Sequence, residues 1–421
     1  MWPQSFWKHY EYFIRRAAGL GHAPKERDPD YYEKYNAHCD VLIAGGGAAG
    51  LAAALAAARM GARVIIADEQ QELGGSLLLG HEQIDGKPSE LWLREILSEL
   101  SGYKDVRLLA RSTVFGYHDH NFLTIAQRLT EHLPEDQRCG PRERIWRVRA
   151  RQVVLATGAC ERPLVFTNND RPGVMLASAV STYLRQFAVM PGARVVIATN
   201  NDSVRHTVFN LLDSGVQVAT IVDARDHGHG AWLQAARDRG VRVLTGSAII
   251  DARGTRRVQG AVVAPLSSDG KSLTGETTSI DCDLIAVSGG WSPVVHLYAQ
   301  SGGRPLFDEQ IAAFVPGAAV QQQRSAGACR GSFQLDDCLR EGYEAGMAAA
   351  RDCGLETRTP SIAPSTTRDD EYSLRPLWRA PDIKAIAPGN KQFIDLQNDV
   401  TAADVLLAAR EGFHSVEHVK R

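Results

Sequence analysis

The sequence predicts an α/β fold of two Rossmann-like units with a small C-terminal helical module. An apolar strand enters a glycine-rich turn and then an alanine-rich helix within residues 39–60. A second strand–helix–strand pattern spans 194–223. Two more apolar strands, 153–159 and 283–293, run into glycines, as is typical of a chain that crosses between two units.

The composition sets the limits within which a function is sought. The chain has 421 residues, 44% of them hydrophobic, so it can bury a large core and form two or three domains. A formal net charge of −2 and the lack of a basic run argue against nucleic acid as a partner. Seven scattered cysteines without a C-x-x-C pair indicate a reducing, cytoplasmic setting and no metal site. No apolar run approaches the roughly 18 residues that span a bilayer, so no membrane partner is expected.

The N-terminal arm, residues 1–38, carries aromatic residues at three- to four-residue steps. These are Trp2, Phe6, Trp7, Tyr10 and Phe13. The charges between them exclude the uninterrupted apolar core of an export signal. The spacing predicts a helix stripe that packs within the chain, which is the commoner case, or docks on a partner.

The glycine-rich turn is the most specific sequence signal. It reads Gly45-Gly46-Gly47-Ala48-Ala49-Gly50. In a strand–turn–helix context, Gly45 permits the tight turn, Gly47 lets the backbone approach a pyrophosphate, and Gly50 lets the helix pack on the strand. The phosphates of a dinucleotide would then lie at the helix N-terminus. A turn that binds nothing is the less favoured interpretation.

The following strand ends in acids, Asp68 and Glu69, about 20 residues after the turn. A carboxylate at this place accepts hydrogen bonds from an adenosine ribose and repels a 2′-phosphate, so the sequence predicts NAD or FAD and disfavours NADP. Gly74-Gly75 follows, and there the backbone would pass over the cofactor without side chains.

The two crossings between the units are further candidates for cofactor contact. The first contains Ala156-Thr157-Gly158, after an alternating strand at 145–152. Its role is either ligand contact or a purely structural crossing. The return contains Gly289-Gly290-Trp291, with His296 shortly after it. Trp291 and His296 could cover a cofactor or pass protons, although a packed indole and a surface histidine are commoner.

The second unit, assigned to residues 191–283, has the right topology but no phosphate turn. In its place the chain reads Thr199-Asn200-Asn201-Asp202-Ser203. Without glycine the backbone cannot easily make the close approach that a pyrophosphate needs, and Asp202 would repel phosphates. The sequence favours a degenerate, architectural unit over an altered site for another ligand.

The segment that usually holds the flavin end of FAD lacks its acid. The candidates are 314–317 and 325–329, before a helix at 335–351. This departure favours NAD over FAD at the first turn.

Because the chain leaves the first unit and later returns to it, the first dinucleotide-binding domain is assigned to two segments, 39–190 and 284–355.

The C-terminal part is predicted as a linker, 356–385, and a module, 386–421. Thr401 is expected to cap a helix at 402–412. No cysteine follows Cys353, and iron–sulfur clusters are held by thiolates, so the module is predicted to hold no cluster.

The chain resembles the α subunit of heterotetrameric sarcosine oxidase. The segments that carry the resemblance run across nearly the whole chain: Met1-Trp2-Pro3, Arg15 to Gly21, Cys39-Asp40-Val41, Ala156 to Ala159, Glu161-Arg162-Pro163, Asn169 to Val174, Thr199 to Ser203, Ser288 to Trp291 and Gln397 to Ala402. The Thr-Asn-Asn-Asp and Gln-Asn-Asp-Val-Thr segments are far more specific than the glycine pattern.

The resemblance implies a subunit that binds NAD, within a complex that oxidises sarcosine or a related secondary amine. It implies a β subunit that carries FAD, an FMN at the interface with that subunit, and smaller partner subunits. The family's ferredoxin-like domain and folate-binding domain have no counterpart in this sequence, so folate binding is not carried over. The sequence identifies no catalytic residue in this chain. A self-sufficient FAD-dependent oxidoreductase and a nonenzymatic nucleotide-bound scaffold remain as alternatives.

Overall fold

A computed structural model describes residues 3–21, 24–80, 82–226, 230–356, 363–367, 372–381, 391–413 and 415. The α-helices in this part of the chain are α1 (Trp7–Ala17), α2 (Ala48–Arg59), α3 (Ser89–Gly102), α4 (Ala177–Arg185), α5 (Arg205–Asp213), α6 (Ala231–Asp238), α7 (His296–Gln300), α8 (Leu335–Asp352) and α9 (Ala402–Arg410).

The strands are β1 (Tyr32–Ala44), β2 (Val64–Ala67), β3 (Gln83–Ile84), β4 (Lys87–Pro88), β5 (Val106–Leu109), β6 (Ser112–His118), β7 (Phe122–Arg128), β8 (Glu143–Leu155), β9 (Ala159–Glu161), β10 (Val174–Leu176), β11 (Arg194–Thr199), β12 (Gln217–Asp223), β13 (Arg242–Leu244), β14 (Ser247–Arg253), β15 (Gly260–Pro265), β16 (Thr278–Ile280), β17 (Leu284–Ser288), β18 (Trp291–Pro293), β19 (Leu306–Asp308), β20 (Ala313–Val315), β21 (Gln323–Ser325), β22 (Phe393–Asp395) and β23 (Val400–Thr401).

The first sheet has the strand order β5-β2-β1-β8-β7-β6, and β21 pairs with the end of β8. β1 lies parallel to β2 and β8, whereas β7 and β6 continue the sheet antiparallel. The two segments predicted at 145–152 and 153–159 form one strand as far as Leu155, because no turn residue interrupts them. The sheet thus brings the carboxyl ends of β1, β2, β8 and β21 to one edge.

Helix α2 is buried at every residue from Ala48 to Ala58. Helix α8 packs on α2 with the two backbones in contact. A Cβ on Gly342 would lie under 3.0 Å from the Ala49 carbonyl oxygen, and a Cβ on Gly346 equally close to that of Ala53. Small side chains on both helices permit this approach. The helix that starts at the glycine turn is therefore held between the sheet and α8.

The second sheet is parallel, in the order β10-β17-β11-β12-β13. It includes Val174–Leu176 and Leu284–Ser288, which the sequence assigned to the first domain. The second unit therefore extends beyond 191–283 at both ends, because long-range pairing, and not the local pattern, decides to which sheet a strand belongs. A three-stranded antiparallel sheet, β14-β15-β16, adjoins it.

The two predicted crossings lie side by side. After the first sheet, β9 pairs antiparallel with β18, which follows the second sheet. The chain therefore leaves and re-enters the first unit at one place.

The N-terminal arm and the C-terminal module flank the two units in the sequence. Tyr32 already pairs in the first sheet, so that sheet begins within the segment assigned to the arm. No residue of α1 is buried, and Trp7 and Phe13 are 52% and 68% exposed. The aromatic stripe of this helix therefore does not pack within the chain, contrary to the interpretation that the sequence favoured. Thr401 caps α9, in a capping box with Asp404.

Parts of several sequence predictions lie outside the described residues. In the linker these parts are 357–362, 368–371 and 382–385, in the module they are 386–390, 414 and 416–421, and in the arm they are 1–2 and 22–23. Within the described part of the chain, no helix has the length and apolarity to cross a membrane.

Candidate functional site

The glycine turn is set by backbone contacts. Gly45 donates its N–H to the Ala67 carbonyl oxygen at 2.8 Å and has φ of 105°. A Cβ at Gly45 would lie under 3.0 Å from the Ala156 carbonyl oxygen, and a Cβ at Gly50 would overlap the Gly45 carbonyl oxygen. These two glycines are therefore required by the fold of the turn.

Gly47 differs, because a Cβ there would have nothing within 4 Å. It is the N-cap of α2, and its carbonyl accepts the first helical N–H, from Leu51, at 2.9 Å. The N–H groups of Ala48, Ala49 and Gly50 precede that ladder and have no carbonyl four residues back within the helix. The open space beside Gly47, next to the positive end of a buried helix, fits a phosphate group.

Asp68 lies beside this turn. Its Oδ2 accepts the Gly46 N–H at 2.6 Å and its Oδ1 accepts the Gln70 N–H at 2.8 Å. Asp68 is half-buried, whereas Glu69 is exposed. Of the two predicted acids, Asp68 is therefore the one fixed against the glycine turn.

The Gly74-Gly75 segment passes over the turn. Gly74 donates its N–H to the Gly46 carbonyl oxygen at 2.8 Å, and a Cβ on Gly75 would lie 3.1 Å from the Gly47 Cα. Both have positive φ, 141° and 55°. The structure thus brings the glycine turn, Asp68 and this segment together.

The first crossing is connected to the site through Ala156. Its N–H bonds to the Ala44 carbonyl oxygen at 2.8 Å, next to Gly45. Thr157 Oγ1 donates to the Val294 carbonyl oxygen at 2.8 Å, so this hydroxyl joins the two crossings. A Cβ on Gly158 would have nothing within 4 Å.

The second crossing contacts other residues. Gly289 donates its N–H to the Arg162 carbonyl oxygen at 2.7 Å, and a Cβ on Gly290 would be nearest to Arg162, Tyr372 and Leu374. These neighbours belong to the first crossing and to residues 372–381, not to the glycine turn. Trp291, in β18, is half-buried, and His296, at the start of α7, is exposed.

Of the two candidates for the returning turn, only 325–329 lies at the site. A Cβ on Gly327 would lie 2.7 Å from the Ala49 Cβ, whereas Phe314 belongs to the β19–β20 hairpin. Ala328 offers no carboxylate at this turn. Glu341 of α8 does approach it, and its Oε2 accepts the Gly327 N–H at 2.9 Å. Sequence reasoning missed Glu341 because it lies 14 residues further along, on the helix.

The polar residues that replace a phosphate turn in the second unit bond to protein groups. Asp202 accepts hydrogen bonds from Trp232 Nε1 and from the Ser373 N–H, each at 3.1 Å, and pairs with Arg225 at 2.8 Å. Arg225 also pairs with Asp223 at 2.8 Å. Burial raises the pKa of Asp223, and the Arg225 guanidinium opposes that rise.

Residues 372–381, which we name the strap, lie across the carboxyl ends of β11 and β17. The Arg375 N–H bonds to the Asn200 carbonyl oxygen at 2.9 Å, and Asn200 Nδ2 bonds to the Leu377 carbonyl oxygen at 3.2 Å. Trp378 Nε1 donates to the Gly289 carbonyl oxygen at 2.8 Å. This is the edge at which an open α/β sheet ordinarily binds its ligand.

A cavity of about 340 Å³ lies against the residues that directly follow Asp68 in the chain. It is lined by Glu69, Gln70, Gln71, Glu72, Leu78, Arg111, Arg128, Arg185, Gln186 and Phe187. Among the described residues, no group of three or more His, Cys, Asp or Glu side chains is placed to hold a metal.

Two family models match the chain. The FAD dependent oxidoreductase family matches residues 40–106, which include the glycine turn and Asp68. The sarcosine oxidase A3 domain matches residues 389–421.

Curated relatives match over nearly the whole chain. Sarcosine oxidase subunit alpha of Corynebacterium sp. (strain P-1) is 44% identical over 411 residues, covering 96% of this chain and 42% of the relative. The protein of the same name from Rhizobium meliloti (strain 1021) is 40% identical, covering 100% and 41%. The chain therefore spans less than half the length of these relatives.

A solved structure matches the fold. The crystal structure of L-proline dehydrogenase from P. horikoshii has a TM-score of 0.62 at 18% sequence identity, covering 95% of this chain and 72% of that one. Together with the FAD dependent oxidoreductase match, it confirms the predicted Rossmann-like α/β fold class.

Proposed function

Since the chain is a homologue of sarcosine oxidase alpha subunits over 96–100% of its length, we propose that it is the dinucleotide-binding subunit of a sarcosine-oxidase-type oxidoreductase. The substrate would be sarcosine or a related secondary amine. The observation that carries the proposal is the glycine turn with open space at Gly47 and with Asp68 fixed beside it.

The residues fit an adenine dinucleotide. The first N–H groups of α2 would bind the pyrophosphate, and the Asp68 carboxylate would accept hydrogen bonds from the hydroxyls of the adenosine ribose. Gly74-Gly75 would cover the phosphates without side chains. In this proposal the chain binds and orients the dinucleotide, and none of its side chains is assigned a proton-transfer step.

We favour NAD over FAD in this site. The turn at Gly327 that approaches α2 carries Ala328 where flavoproteins of this architecture carry an acid. The FAD dependent oxidoreductase match covers only residues 40–106, the part that the two cofactors' shared ADP half would contact. FAD remains the alternative, as in a self-sufficient oxidoreductase.

The proposed chemistry needs partner subunits. When bound in or at a partner, a flavin would supply the two-electron oxidation of the amine. A flavin-bearing β subunit, an FMN at its interface with this chain, and smaller subunits complete the proposed complex. The seven cysteines, all free thiols here, suit a reducing cytoplasm.

The experiment is to identify the small molecules that the purified 421-residue chain releases on denaturation, with an absorbance scan before denaturation. NAD without flavin supports the proposal. Stoichiometric FAD favours the self-sufficient oxidoreductase, and release of no nucleotide contradicts both. Co-purification with a flavin-bearing protein from the source cell separates a subunit from a nonenzymatic scaffold.

A further inference from the structure

The junction between the two Rossmann-like units is formed by two crossings that lie side by side, where β9 pairs with β18. Units joined in this way can rotate about the junction, because a few residues there can absorb the change in φ and ψ. In this chain a third element, the strap, also lies at the junction. The contacts that the strap makes on each side therefore decide whether the junction can move.

On the second unit, the strap is held by two arginines. Arg225, which is buried, donates from Nη1 to the Ser373 carbonyl oxygen at 3.1 Å. Arg375 of the strap donates from Nη2 to the carbonyl oxygen of Ser268, in the loop between β15 and β16, at 2.6 Å. These bonds add to those that the strap makes at the carboxyl ends of the parallel strands. The strap is thus fixed to the second unit along its length.

Trp378 joins the strap to both crossings. Its Nε1 donates to the Gly289 carbonyl oxygen of the second crossing at 2.8 Å. The guanidinium of Arg162, from the first crossing, lies over its ring, 4.7 Å from the centroid. Burial lowers the pKa of Arg162, and a cation–π contact is strongest where water is excluded. One side chain therefore holds a residue from each crossing.

The glycines of the second crossing permit these contacts. A Cβ on Gly289 would lie 2.8 Å from the Arg162 carbonyl oxygen and 3.2 Å from Cδ1 of Trp378. A Cβ on Gly290 would lie 3.0 Å from Arg162 Nη2 and 3.1 Å from the Tyr372 hydroxyl oxygen. A side chain at either position would push the strap or Arg162 away. The glycine pair thus has a packing role between this crossing and the strap.

Arg162 and Tyr372 extend the contact into the first unit. Arg162 donates from Nη1 to the Ala312 carbonyl oxygen at 2.9 Å and from Nη2 to that of Ile311 at 3.1 Å, in the turn between β19 and β20. The Tyr372 ring lies 5.2 Å from the ring of Phe333, which precedes α8. Because the strap contacts both sides of the junction, a rotation of the second unit would have to break these contacts together.

We propose that the strap is a lock that holds the two units in one arrangement, with Trp378 as its central residue. Arg162 is the positioning residue through which Trp378 acts on the first crossing. A partner subunit would then meet one fixed surface that spans both units. The inference goes beyond the proposed function, because the lock consists of the chain's own contacts and holds whichever dinucleotide the glycine turn binds.

Hydrogen exchange of the full chain, followed by mass spectrometry, tests the lock. The Gly289 N–H bonds to the Arg162 carbonyl oxygen at 2.7 Å, and the Arg162 N–H bonds to that of Gly290 at 2.8 Å, so both report on the contact between the crossings. Trp378→Ala is expected to speed their exchange at least about fivefold, the effect of losing one hydrogen bond. Trp378→Phe should have a smaller effect, because a ring remains under Arg162.

Trp146→Ala is the matched control. Trp146 also donates from Nε1, to Gln127 at 2.8 Å, and also lies under an arginine, with the Arg144 guanidinium 5.4 Å from its ring centroid. All three residues belong to the first sheet, so this variant should leave exchange at the crossings at the wild-type rate. Wild-type exchange there in both Trp378 variants overturns the lock. A rise in Trp146→Ala as large as in Trp378→Ala also overturns it.

Distances between spin labels on the two units give a second readout. Ser98 on α3 and Gln234 on α6 are exposed, and Ser98→Cys with Gln234→Cys supplies the two labels once the exposed thiols are removed by Cys139→Ser and Cys160→Ser. With the native strap, one narrow distance distribution is expected with and without NAD, and Trp378→Ala should broaden it. Two distances with the native strap, or a shift on adding NAD, overturn the lock. A chain that binds no NAD contradicts the proposed function and leaves the comparison with Trp378→Ala intact.

Discussion

Gly47→Glu should abolish dinucleotide binding without unfolding the protein. Gly47 has φ of −77° and ψ of −169°, an extended conformation that any residue adopts. A Cβ there meets nothing within 4 Å, so the side chain has room in the ligand-free protein. The new carboxylate would occupy the space beside the α2 N-terminus, where the pyrophosphate is expected.

The size of the effect follows from the bonds that are lost. A hydrogen bond to a charged group contributes about 1.5–3 kcal/mol. If the carboxylate displaces a phosphate from two N–H groups of the first turn of α2, the loss is about 3–6 kcal/mol. This corresponds to a dissociation constant that is roughly 10²- to 10⁴-fold larger.

The assay has two readouts, the nucleotide released per chain and the melting temperature after nucleotide removal. Gly50→Ala is the contrasting variant, because its Cβ would lie under 3.0 Å from a backbone oxygen. Overpacking of this kind costs about 1–3 kcal/mol, so Gly50→Ala should lower both readouts. A Gly47→Glu protein with wild-type nucleotide content would refute the placement of the phosphates.

Three further predictions concern the same unit. Asp68→Ala should weaken NAD binding by about 1–3 kcal/mol, measured by calorimetry, while Glu69→Ala leaves it unchanged; wild-type affinity in Asp68→Ala would contradict the ribose contact. The Arg63 guanidinium lowers the pKa of Asp40 below its usual 3.8, so Asp40→Asn should be less stable than wild type to urea above that pH. The difference should vanish as the pH falls through the lowered pKa, and a pH-independent difference would contradict this origin. Gly342→Ala should lower the free energy of unfolding by about 1–3 kcal/mol, because α8 touches the α2 backbone there; an unchanged urea midpoint would argue against that contact.

The glycine turn could be predicted from sequence because its requirements are local. A Cβ at Gly45 or Gly50 would collide with backbone atoms, and Asp68 follows at the distance that one helix and one strand impose. Local chemistry of this kind is readable without knowing the rest of the fold. Long, strongly patterned elements such as α2 and α8 were predictable for the same reason.

The remaining parts depend on long-range pairing. Nothing in the sequence of β10 or β17 states that both belong to the second sheet, since only their partners decide it. Helix α1 has the stripe expected of a packed helix, yet no residue of it is buried. Glu341 reaches the turn at Gly327 from a separate helix, 14 residues further along the chain, so no local pattern marks it.

In the second unit, the carboxyl edge of the sheet has the opposite chemistry to a phosphate-binding edge. A phosphate turn needs glycine and rejects an acid, because the ligand is anionic and must approach the backbone. The strap is a peptide whose N–H groups need acceptors, and Asp202 accepts the N–H of Ser373 while the Asn200 carbonyl accepts that of Arg375. The acid that would repel a pyrophosphate therefore stabilises the strap at this edge. A turn without glycine that carries Asp202 suits this edge for one physical reason: the group that it binds is a segment of the chain itself, which offers N–H donors.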